Sequence, residues 1–217
     1  MVYLKRSNFG KFWPIARKGT AYVAKSNHNV NESMPLIVII RDVLGFVKNK
    51  KELKKIINEK QIKINGKEIK EINYPVCLFD VLSLGNLKKS YRVILSEKKK
   101  YELEEVSEKE SKSRPYKILN KKIVGGNKVQ LNLTAGKNII SKEKANIGDT
   151  IVLDFENKIL EIVSIKKGAN AMVIKGKHIG NKGIIEDVIE RGGKKLVKLK
   201  LEKEKINVWI KNVIAIK

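Results

Sequence analysis

The stretch SMPLIVIIRDVLGFVKNKKELKKIINEKQIKINGKEI, Ser33–Ile69, decides how this chain is read. Ser33 is placed to cap a first helix with Pro35 in its first turn, where a missing N–H is tolerated. Ile37, Ile40, Leu44 and Val47 recur along one side of that helix, and Gly45 offers it a stop. A second helix is predicted from about Lys50 to Lys60. Leu53, Ile56 and Ile57 form its apolar stripe, which leaves Lys51, Lys54 and Lys55 pointing away from the core. Gln61-Ile62-Lys63-Ile64 and Lys67-Glu68-Ile69 then alternate around Asn65-Gly66, the strongest short signal for a hairpin. Strand material from Pro75 to Leu82 closes the unit before Leu84. Arg41, Lys48, Lys50, Lys51, Lys54, Lys55, Lys60 and Lys63 outweigh Asp42, Glu52 and Glu59, so one face of the unit is expected to be basic.

The basic excess extends through all 217 residues: 47 Lys and Arg against 23 Asp and Glu give a formal charge of +24. Such a surplus repels itself in a compact state and is best neutralised by a polyanion, which makes nucleic acid the leading partner. A membrane is disfavoured, because the apolar run Leu36 to Ile40 falls far short of the roughly 20 residues a spanning helix needs. The single cysteine, Cys77, rules out an internal disulfide and a cysteine-rich zinc site, and is read as a small core residue of a strand. The histidines, His28 and His178, have no cluster of ligating residues beside them, so no metal is expected. No cofactor or small-molecule substrate is indicated, since no catalytic constellation stands out and the acids are scattered among lysines.

Residues 1–32 form a basic aromatic extension. Lys5, Arg6, Lys11, Arg17, Lys18 and Lys25 are interleaved with Tyr3, Phe9, Phe12, Trp13 and Tyr22, without helical or strand periodicity. Two readings stand side by side: rings and cations packing against RNA or a neighbour, or rings anchoring the segment on this protein's own body. Residues 33–97 are assigned to the helix-helix-hairpin unit. Residues 98–168 are assigned to a linker and a central β domain; the mixed-charge run Lys98 to Lys112 reads as a solvated helix or linker. From Pro115 the period is two, in short strands punctuated by Gly125-Gly126, Gly136, Gly148-Asp149 and Glu156-Asn157, as in a small β-barrel or sandwich. Residues 169–217 continue the pattern with five strands, enough for a small closed barrel.

In that last segment Lys175-Gly176-Lys177-His178-Ile179-Gly180-Asn181-Lys182-Gly183 combines glycines, which let backbone approach a phosphate, with lysines that supply charge. The loop resembles the KOW motif of ribosome and transcription proteins, with Gly183 at its most characteristic glycine. Two other patterns fail. His178-Ile179-Gly180-Asn181 resembles the HIGH signature of class I aminoacyl-tRNA synthetases, but strands follow it and no second signature appears. Gly136-Lys137 lacks the upstream glycine and following Ser or Thr of a phosphate loop, with Leu131 and Asn138 in those places.

Taken in order, Tyr3-Leu4-Lys5-Arg6, Trp13 to Thr20, Pro35 to Leu44, Ile62 to Lys67, Tyr74-Pro75, Phe79 to Ser83, Val129 to Leu133 and the glycine loop resemble the archaeal and eukaryotic small-subunit ribosomal protein family S-four-e. The resemblance implies a multidomain α+β chain: an S-four-type RNA-binding unit, a central β domain and a C-terminal SH3-like barrel carrying the KOW motif. It also implies a non-enzymatic ribosomal protein of the small subunit, cytoplasmic, with rRNA and other small-subunit proteins as partners. Lys175 stands where the family usually has the first of two glycines. No longer basic tail follows Lys217, which fits an archaeal-type member. The expected RNA contacts are Lys5, Arg6, Lys11, Trp13, Arg17, Lys18, Arg41, Lys48, Lys50, Lys51, Lys54, Lys55, Lys63, Lys175, Gly176, Lys177, His178 and Lys182. Asn65, Gly66, Gly180 and Gly183 are expected to shape turns. The rivals are an RNA-modifying enzyme that carries such a unit and a factor that visits the ribosome transiently.

Overall fold

The computed structural model describes residues 3–85, 89–108, 110–124, 128–141, 143, 145–201 and 204–216. The expected turn at Gly125-Gly126 lies outside them. The chain divides into two units, Met1–Leu95 with Lys99–Lys112, and Ser96–Lys98 with Ser113–Lys217.

In the first unit, β1 (Tyr3–Lys5) pairs antiparallel with β2 (Tyr22–Ala24). Then come β3 (Ser33–Pro35), a helix at Val38–Val43, α1 (Lys50–Asn58), β4 (Ile62–Ile64), β5 (Lys67–Glu68), β6 (Pro75–Cys77), β7 (Val81–Leu84), β8 (Lys89–Leu95) and β9 (Tyr101–Val106). β3 pairs with β6, and the remaining strands form a sheet in the order β5-β4-β7-β8-β9.

Two expectations change here. Ser33 does not cap a helix: it starts β3, is fully buried, and donates its hydroxyl to the Asn29 carbonyl at 2.9 Å. The helix that follows is wound with i→i+5 bonds, Leu44 N–H to Ile39 O at 2.9 Å among them. Leu36 to Ile40 are all buried, so the segment is enclosed on every side rather than along one stripe. A run that is apolar all round carries no periodicity, and tertiary packing decides where it winds and where it extends. Gly45, at φ +67°, ends it in the left-handed region.

The second change concerns residues 98–112. Tyr101–Val106 is not a solvated helix or linker but the edge strand β9, paired with β8 from Leu95↔Tyr101 to Ser90↔Val106. Tyr101 is buried and Leu103 half-buried, while Glu102, Glu104 and Glu105 are exposed. Acids on an edge strand discourage further pairing, which is why their density reads as a linker. Cys77 ends β6 and is half-buried, a looser setting than a core position.

The second unit holds two five-stranded antiparallel sheets. β10 (Ser113–Val124), β11 (Lys128–Leu133), β12 (Asn138–Ser141), β13 (Thr150–Asp154) and β14 (Ile159–Val163) are ordered β12-β11-β10-β13-β14. β10 serves two partners: Ser113–Lys117 pairs with β13, and Ile118–Val124 with β11 across a register shift at Ile118/Asn120. Tyr116, Ile118, Leu131, Leu133, Ile151 and Leu153 form the core of this sheet. β15 (Asn170–Val173), β16 (Lys182–Arg191), β17 (Lys194–Lys200), β18 (Lys205–Trp209) and β19 (Val213–Ala215) are ordered β18-β17-β16-β15-β19. Ala171, Ile185, Val197, Leu199, Ile206 and Val213 come from all five strands into one cluster, so the sheet curls about a shared core. Among the described residues no helix is long and apolar enough to cross a membrane.

Candidate nucleic-acid interface

α1 is fixed from both ends of its polarity. Leu53 and Ile57 are buried, and Glu52 reaches back to accept the Lys48 N–H at 2.8 Å, satisfying a donor near the helix start. Lys50, Lys51, Lys54 and Lys55 are consequently exposed, as is Lys48 just before the helix. After α1, Lys63 projects outward from β4 between the buried Ile62 and Ile64. Lys60 is tied to Glu68 at 3.3 Å in an exposed pair, a contact of small energetic consequence.

The β4–β5 turn places Asn65 at φ +49° and Gly66 at φ +75°, the left-handed pair that a two-residue hairpin requires. Asn65 also has a role its turn signal does not announce. Its amide donates to Asp80 Oδ1 at 2.6 Å and its side-chain oxygen accepts the Val81 N–H at 3.0 Å, while Asp80 Oδ2 takes the Cys77 N–H at 2.6 Å. Asp80, 3% exposed, thereby ties the hairpin to the turn before β7.

The N-terminal segment separates into cations that face solvent and groups that build structure. Trp13 is corrected from an RNA contact to a core residue: it is 0% exposed, its Nε1 donates to Ser33 O at 3.0 Å, and Phe9 stacks on it at 5.8 Å between centroids. Arg6, half-buried, also builds structure: its guanidinium donates to Thr20 O at 2.7 Å, Thr20 Oγ1 at 2.8 Å and Ala16 O. It holds the loop 16–20 closed. Lys100, which sequence reasoning passed over, donates its ammonium to Lys11 O at 3.1 Å and Trp13 O at 2.8 Å. Burial and then the charge of Arg17 pull it below the ordinary lysine value. Lys5, Lys11, Arg17 and Lys18 remain exposed.

Two clefts gather part of this set. One of about 530 Å³ is lined by Lys5, Arg6, Arg17 and Lys18 with the loop that joins them. The other, about 770 Å³, brings Tyr3, Arg6, Lys18 and Tyr22 together with Arg41 and Lys50. Arg41 is held by its neighbour: its fork meets the Asp42 carboxylate at 2.7 and 2.9 Å, and that hydrogen bond raises its affinity for the proton further. The formal charge contributed there by Arg41 is thus largely compensated.

The glycine loop lies in the second unit. Lys175, Gly176, Lys177 and Lys182 are exposed and His178 is half-buried. Gly180, at φ +88°, is a true turn position, and a Cβ there would overlap the Ser96 carbonyl. Gly183 is corrected: it is not in a turn but in β16, opposite Ala171, and it is needed because a Cβ would sit 2.6 Å from Lys200 O. Lys117 had no sequence signal beyond its place in a strand. It is 2% exposed and donates to the carbonyls of Ile210 and Val213, and burial lowers its ammonium to about 8. Among the described residues no group of three His, Cys, Asp or Glu is placed to hold a metal ion.

Comparison with known proteins places the chain among relatives of known family. Residues 34–82 match the S4 domain, and residues 87–160 match the Ribosomal family S4e. The small ribosomal subunit protein eS4 of Methanosphaera stadtmanae is 35% identical over 190 residues, covering 86% of this chain and 79% of that protein. The eS4 protein of Nanoarchaeum equitans is 32% identical over 211 residues, 94% of this chain and 90% of that one. The crystal structure of the 30S ribosomal protein S4e from Thermoplasma acidophilum superposes with a TM-score of 0.73 at 26% identity, over 85% of this chain and 95% of that one. The extent of these matches, from the N-terminal segment through both β sheets of the second unit, shows that the chain belongs to the eS4 family of small ribosomal subunit proteins.

Proposed function

We propose that this protein is a non-enzymatic structural component of the small ribosomal subunit in the cytoplasm, which binds rRNA and holds segments of it in place beside other small-subunit proteins. The observation that carries the reading is α1: within the region that matches the S4 domain, four lysines, Lys50, Lys51, Lys54 and Lys55, stand exposed on one helix. Lysines so placed neutralise phosphates and release counterions, a sequence-independent attraction that positions the protein on its RNA. The proposal assigns four modules. Residues 1–32 are an extension, residues 33–97 with β9 are an S-four-type helix and hairpin unit, the central β domain follows up to residue 168, and residues 169–217 form an SH3-like barrel. The KOW-type loop of that barrel presents Lys175, Lys177, His178 and Lys182 beside Gly176. Lys5, Lys11, Arg17, Lys18, Lys48 and Lys63 are assigned to phosphates as well.

Reversing Lys51, Lys54 and Lys55 to Glu together should weaken binding to deproteinised small-subunit rRNA. The slope of log K against log salt should fall by about two to three if each lysine meets a phosphate. The fold should survive, since none of the three is buried. Unchanged affinity and slope in a filter-binding titration would remove this face from the interface. A high-salt wash of purified subunits separates a resident protein, which stays, from a visiting factor, which leaves.

A further inference from the structure

The five aromatics of the N-terminal segment divide sharply once folded: Phe9 and Trp13 are buried and Phe12 is half-buried against Tyr101, but Tyr3 and Tyr22 are 61% and 59% exposed. Their position follows from the β1–β2 register. Tyr3 lies opposite Ala24 and Lys5 opposite Tyr22, so all four residues share one face, while Leu4 and Val23 occupy the other and are half-buried. Tyr3 and Tyr22 are therefore diagonal neighbours, with Cα atoms ~7–8 Å apart by strand geometry, within reach of aromatic side chains. Both line the 770 Å³ cleft whose other walls include Lys18 and Lys50. A two-stranded ribbon of this length is marginal by itself. Arg6, closing the loop 16–20, and Trp13, sunk in the core, keep it in place.

We infer that Tyr3 and Tyr22 form a stacking platform for an unpaired base of a single-stranded RNA segment, with Lys5, Lys18 and Lys50 on its flanking phosphates. The proposal rests on the RNA-binding reading above and adds to it where, and in which form, one nucleotide is held. The chemistry of the cleft selects this occupant. Rings lying bare among cations, with the acid Asp42 already bound to Arg41, match a ligand that carries a π-face and negative charge together. A nucleotide supplies both, and only an unpaired one has a free face, because in a duplex both faces of each base are covered by its neighbours. An apolar protein surface would leave the lysines without partners.

The test uses the full chain and two probes, a ten-nucleotide A/U single strand with 2-aminopurine at its centre and the blunt duplex of the same length. Binding of the single strand should quench the fluorophore. Tyr3→Ala with Tyr22→Ala should weaken single-strand binding about tenfold or more and abolish the quenching, with duplex affinity held within about twofold. Tyr3→Phe with Tyr22→Phe keeps the rings and should keep both signals, which guards against the alanine pair simply loosening β1–β2. The proposal is overturned if the alanine pair binds and quenches like the unaltered chain, if both probes weaken alike, or if the phenylalanine pair fails as badly as the alanine pair. Failure of the unaltered chain to bind either RNA would instead overturn the RNA-binding reading on which the platform depends.

Discussion

Lys117 shows how much a single side chain can depend on its surroundings. An ammonium buried in β10 would be costly without acceptors, and the carbonyls of Ile210 and Val213 supply two. Burial nevertheless brings its pKa to about 8, below the 10.5 of an unfolded lysine. Between those values the unfolded chain binds more protons than the folded one, so this group makes stability rise with pH, and below about 8 its full cost is present. Measured against Lys117→Met by urea unfolding, the unaltered protein should gain relative stability from pH 8 to pH 10.5. A difference that stays constant across that window would refute the role. Trp13 and Arg6 make the complementary point: an aromatic and a cation in a basic tail look made for RNA, yet Trp13 is buried in the core and Arg6 braces the loop 16–20. Nothing in local sequence separates them from Tyr22 or Lys18.

At the scale of elements, periodicity was informative wherever one face meets solvent. α1 and the strands of the second unit follow their apolar patterns because burial on one side imposes them. It failed at Leu36 to Ile40, enclosed on all sides, and at β9, whose acids hide an alternation of buried and exposed positions. Val213–Ala215 is likewise buried at all three of its residues, so its strand carries no alternation. Gly183 was singled out correctly but for a turn, whereas its place is a close approach of β16 to the end of β17. Gly183→Val should therefore lower the thermal midpoint, with a cost of ~1–3 kcal/mol or more from overpacking. Lys177→Ala, on an exposed loop, should leave it nearly unchanged. Equal midpoints in a calorimetric scan would show that the backbone at Lys200 gives way without penalty.

For the whole molecule, the formal charge of +24 sets solution behaviour as much as partner choice. Self-repulsion opposes the compact state, and screening relieves it over distances longer than the ~8–10 Å Debye length of physiological salt. The thermal midpoint should thus rise when sodium chloride is increased from low to moderate concentration. A fall or a flat response would mean that local ion pairs, such as Glu186 with Lys205 at 2.8 Å, outweigh the general repulsion. Sequence alone determined the basic surplus, the basic face of α1, the Asn65-Gly66 hairpin and the strand-rich second half, because charge, turn chemistry and one-sided burial are written locally. Only tertiary structure decided which aromatics and arginines remain available and that Asp80 secures the hairpin. It also decided that Lys117 is buried and that residues 101–106 form a strand. These depend on contacts between residues far apart in the chain, and no local pattern encodes which side chain a distant carbonyl will meet.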